Sequence, residues 1–264
     1  MTDPILFVLG VNAAAILGLM LLLWLASIAL RDVSFIDAFW GLGFVVIAGT
    51  TWLLTPRGSA ERRLLLLALA AIWGVRLGLY LFLRWRRDGP DKRYVALLAR
   101  APGSPHWFSL RKVFLLQGAL MLVVALPIML GMIPAEPAAV GPIGWTGVGL
   151  ALVGVAFESI ADAQLAAFRR RGESGVLDRG LWRYTRHPNY FGDCCFWWGM
   201  FLIAAETRLG LAAIVGPVLM TFLLVKWSGA ALLERRLKRS KPGYEDYVAR
   251  TSAFFPAPPR PRPR

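Results

Sequence analysis

The chain has 264 residues, of which 57% are hydrophobic, and it carries a formal net charge of +14 at pH 7. A soluble domain of this length would not hold so many apolar residues, so the composition excludes a soluble protein and indicates an integral membrane protein. The basic residues lie mostly in loops between apolar segments, where membrane topology accounts for them, and nucleic acid is not expected as a partner.

Apolar windows predict an all-α, polytopic membrane fold with about seven transmembrane helices. The predicted spans are 5–30, 33–55, 64–83, 113–133, 142–168, 190–205 and 209–233. With the amino terminus outside, 24 of the 30 Lys and Arg residues fall in the inner loops and tail. The positive-inside rule therefore predicts an outer amino terminus and a cytoplasmic carboxyl terminus. We expect a multi-pass protein that contacts membrane lipids, in the inner membrane if the source is bacterial.

Ionisable residues lie inside several of these apolar segments. The second span contains Asp37, and the third contains Arg76 and Tyr80. Charged side chains in lipid cost several kcal/mol, so they are expected to face the bundle interior or water. An ion pair between Asp37 and Arg76 is one interpretation, and a functional role for Asp37 is the other.

The fifth predicted span contains two carboxylates four residues apart, Glu158 and Asp162, with Arg169 further along the same broad face. One interpretation is a structural clamp to the arginines of the next loop. The other is a set of hydrogen-bond acceptors for ribose, amide or ammonium groups of a cofactor.

A polar motif, residues 180–193, separates the fifth and sixth predicted spans. Pro188 is suited to the first turn of a helix, and Gly192 would let a large planar group approach the backbone. The positive end of that helix, with Arg183 and Arg186 beside it, predicts a phosphate site. His187 is either a structural histidine or a ligand contact, and the Arg, Asn and Tyr around it favour ligand contact.

Other short patterns in the sequence do not indicate a catalytic or binding site. Gly147-Val148-Gly149 lacks the third glycine of a dinucleotide fingerprint, so no Rossmann domain is expected. The glycines of the third and fifth spans are typical of close helix packing. Cys194 and Cys195 are adjacent and lack the spacing of a zinc or redox pair, so no metal site is expected.

The motif resembles the steroid 5α-reductase-like membrane proteins, in particular their bacterial branch. Segment 157–165, Tyr244-Glu245-Asp246-Tyr247 and segment 251–256 share the resemblance. Sterol C14-reductases and isoprenylcysteine carboxyl methyltransferases are more distantly similar. The resemblance implies one domain, 1–256, in which helices of 1–112 hold a lipid substrate and 113–256 bind NADPH. The Pro/Arg tail 257–264 is predicted to be disordered or to touch lipid.

The resemblance also implies residue roles. Glu158 and Asp162 match positions that hold polar groups of the cofactor, and Arg169 matches a phosphate-facing arginine. Asn189, Asp193 and Tyr247 match further cofactor positions. The other motif residues expected around the cofactor are Arg183, Tyr184, Arg186, His187, Tyr190 and Gly192. The family's catalytic glutamate corresponds to Asp37, and because Trp73 stands where its tyrosine is expected, Tyr80 is the candidate substitute.

These features predict an NADPH-dependent membrane oxidoreductase that reduces a conjugated C=C bond of a hydrophobic enone, steroid-like or isoprenoid-like. The alternative is a membrane methyltransferase that uses S-adenosylmethionine, because the His187-Pro188-x-Tyr190-x-Gly192 core is shared with that class. Basic residues clustered between Arg169 and Arg186 favour the cofactor with phosphates, and NADPH over NADH. A non-enzymatic scaffold, in which these residues only join helices, is the third interpretation.

Overall fold

The structure is a computed structural model, and it describes residues 3–227, 234, 237 and 241–261. The described residues form helices and connecting segments without a β-strand, apart from one isolated parallel bridge between Thr185 and Ser252. The all-α fold predicted from the apolar windows is therefore confirmed.

Twelve α-helices are numbered here in chain order along the described residues. They are α1 Pro4–Leu30, α2 Ile36–Leu54, α3 Ala60–Asp88, α4 Lys92–Leu98, α5 Pro105–Ser109, α6 Leu116–Val124, α7 Leu126–Met132, α8 Pro142–Arg170, α9 Pro188–Ala204, α10 Arg208–Leu211, α11 Val215–Phe222 and α12 Tyr244–Arg250. Shorter turns of 3₁₀ or π-helix join some of them, at Leu110–Leu115, Gly180–Arg183, Ala212–Ile214 and Leu223–Trp227.

Six helical segments of the described chain are long and apolar enough to cross a membrane, which is compatible with a multi-pass membrane protein. They are Pro4–Leu30, Ile36–Leu54, Ala60–Asp88, Pro105–Val124, Pro142–Arg170 and Arg208–Trp227. The predicted span 190–205 corresponds to α9, which has 17 residues. At ~1.5 Å per residue, such a helix is at the short limit for crossing a bilayer. The predicted end of the last span, residue 233, lies outside the described residues.

The predicted fourth span, 113–133, is divided in the structure. Its helical segment begins earlier, at Pro105, and ends at Val124, and α7 follows after Ala125. Pro127 lies in the first turn of α7, where its missing N–H group leaves no hydrogen bond unmade. The apolar run continues through this break, so hydropathy alone could not locate it.

The chain divides into two compact units. The first comprises Met1–Gly144 and Ile203–Gly216, and the second comprises Trp145–Leu202 and Pro217–Arg264. The division thus follows Gly144, whereas the sequence predicts two halves of one domain that meet between residues 112 and 113. The roles assigned to those halves stay predictions.

In the first unit, small residues and a buried arginine fix the helices. A Cβ on Gly41 would lie 2.5 Å from the carbonyl oxygen of Gly74, so α2 and α3 touch through their backbones. The fully buried Arg62 guanidinium donates hydrogen bonds to the carbonyl oxygens of Gly131 (2.9 Å), Pro134 (2.5 Å) and Pro137 (3.0 Å). Arg62 therefore holds the segment after α7 against the start of α3.

In the second unit, α8 and α9 approach closely through glycines. A Cβ on Gly154 would lie 2.5 Å from the carbonyl oxygen of Gly192, and a Cβ on Gly199 would lie 2.5 Å from that of Gly147. Backbones can come this close only where side chains are absent. Close packing is therefore confirmed for Gly147 and Gly154, whereas Gly149 has no neighbour within 4 Å of its Cβ position.

This packing predicts opposite outcomes for two alanine substitutions in the same helix. Gly154→Ala should destabilise the fold by about 1–3 kcal/mol, because the new methyl group meets backbone atoms that cannot move aside. Gly149→Ala should be neutral or stabilise the protein by up to about 1 kcal/mol. Thermal unfolding of both variants in one detergent measures the difference. Equal melting temperatures would contradict the described contact between α8 and α9.

Candidate functional site

The polar motif 180–193 is docked on the carboxyl-terminal half of α8. Gly180 has a positive φ of 61°, which favours glycine there. The backbone N–H of Leu181 then donates to Oε1 of Gln164 (3.0 Å), and Nε1 of Trp182 donates to the carbonyl oxygen of Ala161 (3.1 Å). These two bonds set the position from which the chain enters α9.

The carboxyl-terminal segment holds the motif from another direction. The N–H of Arg186 donates to the carbonyl oxygen of Ser252 (2.9 Å), and the N–H of Ala257 donates to that of Tyr184 (3.0 Å). The phenol of Tyr247, on α12, donates to the carbonyl oxygen of Trp182 (2.5 Å). Tyr247, predicted as a cofactor contact, thus stabilises the motif itself.

The start of the Pro/Arg tail, predicted to be disordered from residue 257, is ordered by backbone hydrogen bonds. Besides Ala257, the N–H of Arg260 donates to the carbonyl oxygen of Arg250 (2.9 Å). Proline-rich composition suggested disorder because it does not reveal bonds to distant residues. Residues 262–264 lie outside the described part of the chain.

Glu234 joins the two basic residues at the centre of the motif. Nε and Nη2 of Arg186 donate to its two carboxylate oxygens (2.7 and 3.2 Å), and Nε2 of His187 lies 2.9 Å from Oε1. Nη1 of Arg186 also donates to the carbonyl oxygens of Val248 (3.2 Å) and Thr251 (2.6 Å). Arg186 was predicted to face a phosphate, and these four bonds instead give it a structural partner at each nitrogen.

The hydrogen bonds to Glu234 also change the pKa of its carboxyl group. Although burial alone would raise the pKa of Glu234, hydrogen bonds from His187 and Arg186 lower it from the ordinary 4.5 to about 2. A carboxylate whose pKa is lowered on folding stabilises the folded state above its unfolded pKa. That contribution is lost as the pH falls through the folded pKa.

Glu234→Gln should therefore lower stability by about 1–3 kcal/mol near neutral pH, the usual effect of losing hydrogen bonds to a charged group. The difference in the free energy of unfolding between wild type and variant should stay constant above pH 4.5 and shrink as the pH falls toward 2. Thermal unfolding across that range measures it. A difference that does not change with pH would show that the carboxylate charge is not what stabilises the motif.

Tyr190 lies in the first turn of α9, and His187 is the residue immediately before that helix. The two rings are stacked, with centroids 5.4 Å apart and planes 6° apart, and His187 is buried. Gly192, one turn further, faces α8: a Cβ there would lie 2.6 Å from the backbone nitrogen of Glu158 and 2.6 Å from the carbonyl oxygen of Gly154. Helix packing thus explains why residue 192 is glycine, whereas the sequence suggested close approach of a planar ligand.

Three predicted acceptors are buried on α8 and α9. Glu158 and Asp162 are each 4% exposed, and Asp193 is 7% exposed. Nδ2 of Asn189 lies 3.4 Å from Oδ1 of Asp162, so the structure brings these two predicted cofactor residues together. Among the described residues, no group of three or more His, Cys, Asp or Glu side chains could hold a metal ion.

Three other predicted cofactor residues are exposed. Arg169 is the last residue but one of α8, and Arg183 and Tyr184 belong to the turn before Thr185. Neither Arg169 nor Arg183 makes an ion pair with a carboxylate in the described part of the chain. Their charges are therefore available to an anion, unlike that of Arg186.

In the first unit, Asp37 lies in the first turn of α2 and accepts hydrogen bonds from α4. Nη2 of Arg93 donates to Oδ2 (3.0 Å), and the phenol of Tyr94 donates to Oδ1 (2.6 Å). Nε2 of Gln117 in turn donates to the Tyr94 oxygen (3.1 Å). Burial raises the pKa of Tyr94, and the negative charge of Asp37 raises it further, so this phenol remains a donor.

Sequence reasoning considered Tyr80 and not Tyr94 as the phenol near Asp37. Tyr80 lies on α3 and is half-buried, and its pairing with Asp37 stays a prediction. Trp73, on the same helix, is fully buried against Phe44, with ring centroids 5.6 Å apart. The Asp91 cap before Lys92 is a helix-start signal that could have indicated α4 and so drawn attention to Tyr94.

The structure has helices long and apolar enough to span a membrane, buried carboxylates on α8 and α9, and a polar motif that leads into α9. These are features of an integral membrane protein, and comparison with known proteins identifies its family. A profile of the family described as protein of unknown function (DUF1295) matches residues 23–251. The chain belongs to this family, which is the steroid 5α-reductase-like family. An uncharacterized protein of Schizosaccharomyces pombe is 23% identical over 292 aligned residues, which cover 97% of this chain and 80% of the yeast protein. No solved structure matches the chain.

Proposed function

We propose that the protein is an NADPH-dependent membrane oxidoreductase that reduces the conjugated C=C bond of a hydrophobic enone, steroid-like or isoprenoid-like. The observation that carries the proposal is the burial of Glu158, Asp162 and Asp193 within α8 and α9. Buried carboxylates in membrane helices are costly and mark sites for polar ligands. Because ionised carboxylates only accept hydrogen bonds, the ligand must present hydroxyl or N–H donors.

The residues of the second unit fit NADPH by their chemistry. The three carboxylates would accept hydrogen bonds from ribose hydroxyls and the nicotinamide amide, and Asn189 can both donate and accept. Arg169 and Arg183 would neutralise phosphates, since neither guanidinium is already paired with a described carboxylate. Arg186, His187 and Tyr247 would keep the motif in the shape that presents these groups. When bound, NADPH supplies a hydride.

The Asp37 cluster, defined as Asp37, Arg93, Tyr94 and Gln117, would act on the substrate carbonyl. Reduction of an enone places negative charge on its carbonyl oxygen, and a hydrogen-bond donor at that oxygen stabilises the charge. An ionised Asp37 can only accept, so the donor must be another group. We assign Tyr94 this role ahead of Tyr80: Asp37 holds the phenol in position, and its single O–H would turn from Asp37 to the carbonyl oxygen when substrate binds. The second N–H of Gln117, beyond the one that bonds to Tyr94, would be a further donor.

Turnover of NADPH tests the proposal directly. Purified protein in detergent should consume NADPH with a conjugated enone from a panel of steroids and isoprenoids, and the product should carry two more hydrogens at the former double bond. The matching saturated ketones should give no turnover, because they lack the reducible bond. Absence of turnover across the panel, together with methyl transfer from S-adenosylmethionine to a lipid extract, would favour the methyltransferase instead.

A further inference from the structure

The segment that connects α3 to the next candidate span lies at one face of the membrane, because it links two consecutive spans. The candidate span Ala60–Asp88 ends where this segment begins, and the candidate span Pro105–Val124 begins where it ends. The chain therefore leaves and re-enters the bilayer on the same side. We call residues 84–112, which include both span ends, the α4 segment.

Apolar side chains of the α4 segment are exposed. Helix α4 has no buried residue, and Val95, Leu97 and Trp107 are 58%, 37% and 59% exposed. The Trp107 ring lies 5.4 Å from that of Trp24, whose Nε1 donates to the carbonyl oxygen of His106 (3.0 Å). Tryptophan side chains placed at a span end in this way are typical of the membrane interface.

The same segment carries a large positive charge. It holds eight Lys and Arg residues against two acids, Asp88 and Asp91. Arg87 bonds to Asp88, and Arg93 is shared between Asp91 and Asp37. The exposed cations that make no ion pair with a described carboxylate are Arg86, Lys92, Arg100, Arg111 and Lys112.

We propose that the α4 segment binds anionic phospholipid, with the basic side chains on the head groups and Val95, Leu97 and Trp107 inserted among the upper acyl chains. Charge alone would also suit a soluble phosphate compound. The exposed apolar side chains beside the cations favour lipid, because their burial in the interface adds to the attraction of the charges.

Lipid bound here would also hold the helix that carries Tyr94. Helix α4 is attached to its unit by polar bonds: Arg93 and Tyr94 bond to Asp37, and the N–H of Asp91 donates to Oγ of Ser34 (3.0 Å). Any effect of lipid on catalysis rests on the proposed function. Lipid binding itself does not, because none of the five unpaired cations is assigned to the cofactor or substrate.

Two matched double variants test the proposal. Lys92→Gln with Arg100→Gln removes two exposed charges from the α4 segment, and Arg57→Gln with Arg208→Gln removes two exposed charges elsewhere in the same unit. Affinity for phosphatidylglycerol is measured by native mass spectrometry in detergent, with phosphatidylcholine as the neutral comparison. At about 1 kcal/mol per charge, the first variant should bind phosphatidylglycerol ~25-fold more weakly.

The control variant should change that affinity by less than about twofold. Equal losses in both variants, or no preference for phosphatidylglycerol over phosphatidylcholine, would overturn the proposal. Displacement of the lipid by millimolar inorganic phosphate or by NADPH would show a small-anion site instead. NADPH binding to the α4 variant is measured in parallel, so that failure of this inference is separated from failure of the proposed function.

Discussion

Replacing Tyr94 by Phe should lower the rate of enone reduction by about 100- to 1000-fold, the usual effect of removing one donor to a developing oxyanion. The ring and its packing are kept, and only the hydroxyl that donates to Asp37 (2.6 Å) and accepts from Gln117 (3.1 Å) is lost. NADPH affinity should not change, because the side-chain partners of the Tyr94 hydroxyl, Asp37 and Gln117, are not among the residues proposed to bind NADPH. NADPH consumption with a saturating enone measures the rate.

The control for Tyr94 is Tyr80→Phe, which removes the phenol favoured by the sequence alone. If Tyr94 is the donor, Tyr80→Phe should keep a rate within about tenfold of wild type. Asp37→Asn should reduce the rate as well, because a neutral amide orients the phenol less strongly than a carboxylate does. A fully active Tyr94→Phe beside an inactive Tyr80→Phe would contradict the assignment and return the role to Tyr80.

Glu158→Gln should weaken NADPH binding by about 10- to 100-fold, because a hydrogen bond to a charged acceptor contributes about 1.5–3 kcal/mol. Glu158 is 4% exposed, so bulk water screens such a bond only weakly. Isothermal titration calorimetry on the purified protein measures the dissociation constant. Asp162→Asn tests the neighbouring acceptor, which also contacts Asn189.

The matched control is Glu245→Gln, an exposed carboxylate in the first turn of α12 in the same unit. It should leave NADPH affinity unchanged. A Glu158→Gln protein that melts at a lower temperature without NADPH, yet binds NADPH as tightly as wild type, would show that Glu158 is part of a structural clamp. That outcome would support the scaffold interpretation of the sequence.

Most of the spans could be predicted because each depends on a local property, the length of an apolar run. The fifth predicted span, 142–168, agrees with α8, Pro142–Arg170, since a polar loop bounds it on one side and Gly141-Pro142 on the other. Helix α4 was missed because it is seven residues long and has no buried face to give it an apolar period. The break at Ala125 was missed because both sides of it are apolar.

The burial of Glu158 and Asp162 could be predicted as well, because helical spacing puts residues four apart on one face. The partners of Arg186 and Asp37 could not. Glu234 is 48 residues from Arg186, and Tyr94 is 57 residues from Asp37, so only the folded chain brings them together. For this reason the sequence does not show that Arg186, expected to face a phosphate, is bonded to Glu234. Nor does it show that the phenol bonded to Asp37 comes from α4, a short helix between two spans.

Binding of NADPH by the wild-type protein is the most direct test of the central claim. A thermal-shift titration compares NADPH, NADH and S-adenosylmethionine on one detergent preparation. We predict a rise in melting temperature that saturates with NADPH, a weaker response to NADH because it lacks the 2′-phosphate, and none with S-adenosylmethionine. Stabilisation by S-adenosylmethionine alone, or by none of the three compounds, would contradict the claim that the protein binds NADPH.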